Sequence, residues 1–205
     1  MLQTTKLEAD MEEVRGNVIG LNSLWNNRIL DKPFHTLGAS AYLDIVGGDQ
    51  EPYFTGVRAC NGALAYCFGP LYREISEALT DLLKVKASFD SALALPGFHI
   101  FFAHEAFVRE GGLWHMDMGH IQLGLPDIDP ISFTVSVCLP KDGAGMDYKV
   151  GDEEHHLAYK VGGMVVHDGC MMHRIAPLKS YLDNDERITM QGHGVKIDGE
   201  YILFW

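Results

Sequence analysis

The chain has 205 residues, 47% of them hydrophobic and 21% charged, which suits one well-buried globular domain and is too short for two large ones. Its formal charge of −12 excludes nucleic acid and anionic membrane surfaces as main partners, because both need concentrated Lys and Arg. No apolar run approaches the length of a membrane span, and Glu8, Asp10, Glu12 and Glu13 rule out a signal or transit peptide at the start.

Residues 5 to about 28 read as a helix, with Leu7, Met11, Val14, Val18, Leu21 and Trp25 three and four apart and Thr4 or Thr5 as a cap. Pro33 ends that pattern. Residues 37 to 56 are mixed, with a turn at Gly47-Gly48-Asp49. Pro70 opens a second helix over 70–85, whose stripe is Leu71, Ile75, Leu79, Leu82 and Leu83.

After Pro96-Gly97 the texture changes to short apolar segments bounded by Gly, Pro and Asp. They fall at 98–103, 113–119, 121–125, 131–139, 145–150, 155–161, 164–168, 172–176, 187–194 and 201–205. The expected fold is α+β: a double-stranded β-helix, or jelly roll, over 96–205, backed by supporting helices in 1–95, all as a single domain 1–205. Cys60, Cys67, Cys138 and Cys170 show no CxxC spacing, so they read as reduced core cysteines of a cytoplasmic protein, without structural zinc.

Leu113-Trp114-His115-Met116-Asp117-Met118-Gly119-His120 carries the first chemical signal. On an extended strand, His115 and Asp117 point the same way. A lone HxD is more often an exposed polar pair or a core histidine than a metal site. His173, after a turn, a strand and an Asp168-Gly169 turn, supplies a candidate third ligand. Two imidazoles and a carboxylate on one face of a metal leave open positions, as non-haem Fe(II) oxygenases require. Further on, Arg187 and Thr189 share one face of a strand whose other face carries Ile188 and Met190. An inward arginine needs an anion, either a ligand carboxylate or an internal Asp or Glu.

The order HxD, His, then Arg-x-Thr resembles the Fe(II)/2-oxoglutarate-dependent oxygenases, and the run from Val161 to Pro177 is similar to their glycine–turn–HRV.P segment. The resemblance covers about 95 to 200. It implies that His115, Asp117 and His173 bind Fe(II). Arg187, assisted by Thr189, would pair with the distal carboxylate of 2-oxoglutarate, with O2 as the other cosubstrate and succinate and CO2 as products. Halogenases of the family have a small residue where this chain has Asp117, so the resemblance implies hydroxylation, desaturation or ring formation.

Other residues keep two readings each. His99 and Phe101 share a strand face and either fill the core or line the cosubstrate pocket. His120 is a loop residue or reaches the metal edge. Arg174 makes a surface salt bridge or orients a carboxylate. His155-His156 look solvated, Asp147 and Tyr148 are candidates for substrate contact, and 104–112 and 141–154 are candidate lids. The acidic surface suits a small polar or cationic metabolite such as an amino acid or natural-product intermediate. Two alternatives stand beside the oxygenase. One is a cupin-like isomerase, lyase or dioxygenase that leaves Arg187 without a cosubstrate; the other is a non-catalytic β-domain.

Overall fold

A computed structural model describes residues 1–109, 111–142, 144–180 and 182–205, with Arg109 described by its backbone alone. In chain order the elements are β1 (Leu2–Lys6), α1 (Met11–Gly20), β2 (Trp25–Asn27), β3 (Phe34–Leu37), α2 (Ala41–Asp44), α3 (Glu51–Leu83), β4 (Ala87–Phe89) and β5 (Gly97–Phe102). There follow α4 (Ala106–Arg109), α5 (Gly119–Gln122), β6 (Ile131–Cys138), β7 (Gly145–Val150), β8 (Glu153–Ala158), β9 (Gly163–Asp168), β10 (His173–Ile175), β11 (Glu186–Ile197) and β12 (Glu200–Phe204).

The jelly roll is present as two facing sheets. The large sheet runs β1-β9-β6-β11-β5-β3-β2, with β12 and β4 extending from β11, and the small one runs β10-β7-β8. Alternation along the large sheet sorts its two faces. Phe98, Ile100, Val135, Val137, Met164, Val166, Ile188 and Met190 join the helices' apolar residues in the main core. His99, Phe101, Thr134, His167 and Arg187, at the alternate positions, line a cavity between the sheets. So the helices support the sheet from behind, and the chemistry lies on the opposite face.

The first ninety-odd residues supply the expected supporting helices and, in addition, strands of the large sheet. Residues 2–6 are a strand, not a helical turn: Thr4 and Thr5 pair with Val165 and Met164 of β9. The first helix starts at Met11 because Asp10 caps it, accepting from the Glu12 and Glu13 amides. It stops at Gly20, and Trp25 belongs to β2. β3 adds to β5 and β4 to β12, so this part of the chain widens the sheet as well as covering it.

The second helix begins far earlier than Pro70. It runs from Glu51 and bends at Phe68, whose φ of −121° and ψ of 15° are not helical. Pro70, two residues on, lacks the amide and carries the ring that an unbroken helix excludes. Tyr53, Val57, Cys60, Leu64 and Phe68 form the buried stripe of its first part.

Segments 113–119 and 121–125 are not regular strands. Residues 113–118 are an irregular stretch, and 119–122 form the short helix α5. Backbone bonds still dock the stretch as a fourth run beside the small sheet. Gly112 donates to Ile175 (2.9 Å), His115 and His173 exchange two bonds (2.9 Å each), and Asp117 donates to Gly169 (2.9 Å). All four cysteines are unpaired. Among the described residues no helix is long and apolar enough to cross a membrane.

Candidate metal and anion site

His115, Asp117 and His173 converge: one ligand atom from each lies within 4.8 Å of the others. The bridge between His115 and His173 brings them together, rather than the period of a strand. The Asp168-Gly169 turn holds the third donor in place, because its Gly169 carbonyl receives the Asp117 amide.

The two imidazoles are oriented in the same way. His115 Nδ1 donates to the Leu113 carbonyl (2.7 Å) and His173 Nδ1 to the Met171 carbonyl (2.8 Å). A carbonyl only accepts, so each Nδ1 carries the proton and each Nε2 lone pair is left for the centre. Those Nε2 atoms lie 3.7 Å and 3.5 Å from the two oxygens of Asp117.

Burial raises the pKa of Asp117, but the nearby positive potential of His193, His173 and His167 and a Ser132 hydrogen bond outweigh it and bring the group down to about 2. Burial lowers the pKa of His173, opposed by Asp117 and by its bond to Met171. At neutral pH Asp117 is therefore an ionised carboxylate and His173 a neutral imidazole. Those are the charge states a divalent metal requires of its ligands.

Arg187 sits across the same cavity, 4% exposed. Its Nη1 donates to Thr189 Oγ1 at 3.4 Å, and its Nε has no hydrogen-bond partner among the described residues. No carboxylate among them forms an ion pair with it, and adjacent Glu186 pairs with Arg15 instead. The guanidinium faces the rings of Phe101 (5.5 Å) and Tyr159 (5.8 Å), and burial pulls its pKa down. β11 has a bulge against β6 between Ile188 and Thr189, at the point where these side chains are aimed inward. A buried, unpaired guanidinium is costly, and a ligand carboxylate is the partner its planar fork fits.

The remaining candidates divide. His99 and Phe101 line the cavity, and Tyr42 hydrogen-bonds His99 Nε2. His120 is buried and bonds Asp127 (3.0 Å), away from the donor set. Arg174 donates to Asp147 (3.1 Å) and lies 4.5 Å over the Trp114 ring. Asp147 also binds His156 (2.8 Å), so Asp147 is part of a strand-to-strand network rather than of the cavity wall. Tyr148 stacks on His155. Of the two expected lids, 141–154 is largely the β7–β8 hairpin, while 106, 107, 111 and 112 line the cavity. Glu110 and Gly143, which fall within those segments, lie outside the described residues.

Sequence reading missed three neighbours of the site. His193 is buried with its Nδ1 3.1 Å from Ser132 Oγ and 3.8 Å from Asp117. The His167 ring lies 4.6 Å from that of His173. Tyr159 lines the cavity beside Arg187. The only available signal was strand alternation, which puts His193 on the side of Gln191 and His167 on that of Val165 without showing what lies opposite.

The fold is that of the 2-oxoglutarate–Fe(II) oxygenases. The chain is similar to an N-substituted L-amino acid dioxygenase from Burkholderia ambifaria AMMD solved with alpha-ketoglutarate (TM-score 0.62, 11% identity, 100% of this chain and 86% of that one). It also matches an oxidoreductase of the 2OG-Fe(II) oxygenase family from Burkholderia pseudomallei (TM-score 0.58, 11% identity, 96% and 86% covered). A third likeness is to an alpha-ketoglutarate-dependent carbocyclase of nogalamycin biosynthesis (TM-score 0.55, 11% identity, 100% and 92% covered). No protein-family model matches the sequence, and no curated protein does.

Proposed function

We propose that the protein is a non-haem Fe(II)/2-oxoglutarate-dependent oxygenase acting on a small molecule. The observation that carries this reading is the buried Arg187, without an acidic partner among the described residues, in one cavity with the His115–Asp117–His173 donor set. A cupin-like enzyme that used no 2-oxo acid would leave that cation uncompensated.

The residues fit the groups this reading needs. His115, Asp117 and His173 would hold Fe(II), and Arg187 with Thr189 would hold the distal carboxylate of 2-oxoglutarate. Bound iron would supply O2 activation coupled to oxidative decarboxylation, with the balance R–H + O2 + 2-oxoglutarate → R–OH + succinate + CO2. The chain's own part is orientation. The Leu113 and Met171 carbonyls fix both imidazole tautomers, and Ser132 and His193 set the Asp117 carboxylate. The aromatic wall limits the water around Arg187, so its charge acts at low dielectric. As a third donor, Asp117 would leave no room for the halide that halogenases of the family hold there, which favours hydroxylation, desaturation or cyclisation.

Anaerobic addition of Fe(II) and 2-oxoglutarate tests the reading. The expected result is the visible charge-transfer band of the chelate, followed in air by slow succinate formation without substrate. Neither band nor succinate would overturn the proposal.

A further inference from the structure

The space left for the substrate has a chemical character that the acidic surface does not suggest. The cavity measures about 500 Å³, within the range of roughly 300–1,000 Å³ typical of small-molecule sites. One wall is an aromatic ladder. Phe34 stacks face to face on Phe101 (4.3 Å, 6° between planes), and Phe107 meets Phe101 edge-on at 5.1 Å. All three rings remain partly exposed, so the wall is apolar surface that folding has not covered.

Phe34 also borders a second, more open recess over His115 and Asp117, walled in part by Leu113, Met116 and Met118. Leu113 is 88% exposed, Met116 43% and Met118 38%, so an apolar path leads from the surface to the donor set.

The charged groups of the wall are already committed. Arg174 is bonded to Asp147, Glu186 to Arg15, and Asp185 accepts from the Leu182 amide (2.8 Å). Lys32 is likewise engaged. Arg187 is taken by the cosubstrate on the reading above. A free amino acid would bring an ammonium and a carboxylate, and an unmatched charge in such a site costs several kcal/mol. The surface charge acts at long range, whereas the lining decides what is held.

Resting on the oxygenase reading, we infer that the substrate is a neutral, flat, ring-bearing molecule rather than a zwitterionic amino acid. It stacks against the Phe34–Phe101 wall with the carbon to be oxidised turned towards Asp117.

The test uses full-length protein loaded anaerobically with Fe(II) and 2-oxoglutarate, and the probes 2-naphthol, L-leucine and L-proline. Calorimetry gives affinity, and the charge-transfer band reports whether a probe reaches the metal. The expected result is that 2-naphthol binds and perturbs the band while both amino acids bind at least about tenfold more weakly, a difference of about 1.4 kcal/mol. Phe34→Ala is expected to weaken 2-naphthol about tenfold with 2-oxoglutarate affinity largely kept, since a stacked aromatic contributes about 0.5–1.5 kcal/mol beyond its area. Phe34→Leu, which keeps bulk but not stacking, should fall between and serves if the alanine variant does not fold. A normal band with no 2-naphthol binding, with equal binding to both Phe34 variants, or with a tighter amino acid overturns the inference and leaves the oxygenase reading standing. Absence of any band overturns the oxygenase reading itself, and this inference with it.

Discussion

At the scale of single residues, two groups hold the site in tension with stability. Arg187 is buried without an anionic partner among the described residues, so the ligand-free fold carries a desolvated charge. Arg187→Met keeps most of the volume and removes the charge. It should raise the unfolding free energy of the ligand-free protein by about 1–3 kcal/mol, a typical result when a buried ionic group gives way to an apolar one. The same variant should lose about 10–100-fold in 2-oxoglutarate affinity, since hydrogen bonds to charged groups contribute about 1.5–3 kcal/mol, with metal binding largely intact. Loss of metal affinity as well would make Arg187 a structural residue. The histidines set the acid limit. Burial and the neighbouring His173 hold His167 at about 4, below its ordinary 6.5. Below pH 6.5 the unfolded chain takes a proton that the folded chain refuses, so stability falls as pH drops from 6.5 towards 4. Asp117, held at about 2, contributes stability above 3.8 that is lost as pH falls towards 2. Urea titrations of the metal-free protein should therefore show a loss on the order of 2 kcal/mol between pH 7 and pH 5 from His167 alone. A flat profile would mean that His167 is charged in the fold.

At the scale of elements, the sheets depend on close approaches that only glycine allows. A Cβ on Gly97 would stand 2.0 Å from the Trp205 ring and 2.4 Å from the Leu37 carbonyl, where β3 pairs with β5. The obstacle includes backbone, so Gly97→Ala should destabilise by about 3 kcal/mol or more, read as a lower melting temperature together with weaker metal binding. The elements also show what could be read from sequence. β5 to β12 were legible because Gly, Pro and Asp punctuate runs that alternate or stay apolar. Thr4 and Thr5 were absorbed into a helical pattern that Asp10 in fact begins. Residues 51–68 went unread because Gly56 and Gly62 weaken a helix whose stripe is otherwise regular. The stretch 113–125 was misread for a more telling reason. Leu113, Met116 and Met118 have the apolar character of strand residues, but they stand exposed around the recess. Their hydrophobicity belongs to the recess, not to a core.

At the scale of the whole molecule, the jelly roll brings together His115, Asp117 and His173, which the sequence spaces widely, and the HxD and later His signals were enough to name that cluster. His193, His167 and Tyr159 were not legible, because which strands face one another across the roll is a tertiary fact. The net charge of −12 surrounds the buried Arg187. On the proposed reading a dianionic cosubstrate would approach against the field of the molecule, and screening that field should help it. Stopped-flow association of 2-oxoglutarate should accelerate between 50 mM and 500 mM salt, by about twofold or more given a Debye length near 10 Å at 0.1 M. A rate that falls with salt would mean a local cationic funnel outweighs the net charge.

The reciprocal bonds between His115 and His173 have a thermodynamic consequence. They lock the backbone beneath two donors, while the Asp117–Gly169 bond locks it beneath the third. The conformational entropy of assembling the site is thus lost when the chain folds, not when an ion arrives. On the proposed reading, metal capture would then be an event of charge and proton exchange, with little apolar burial and so little change in heat capacity.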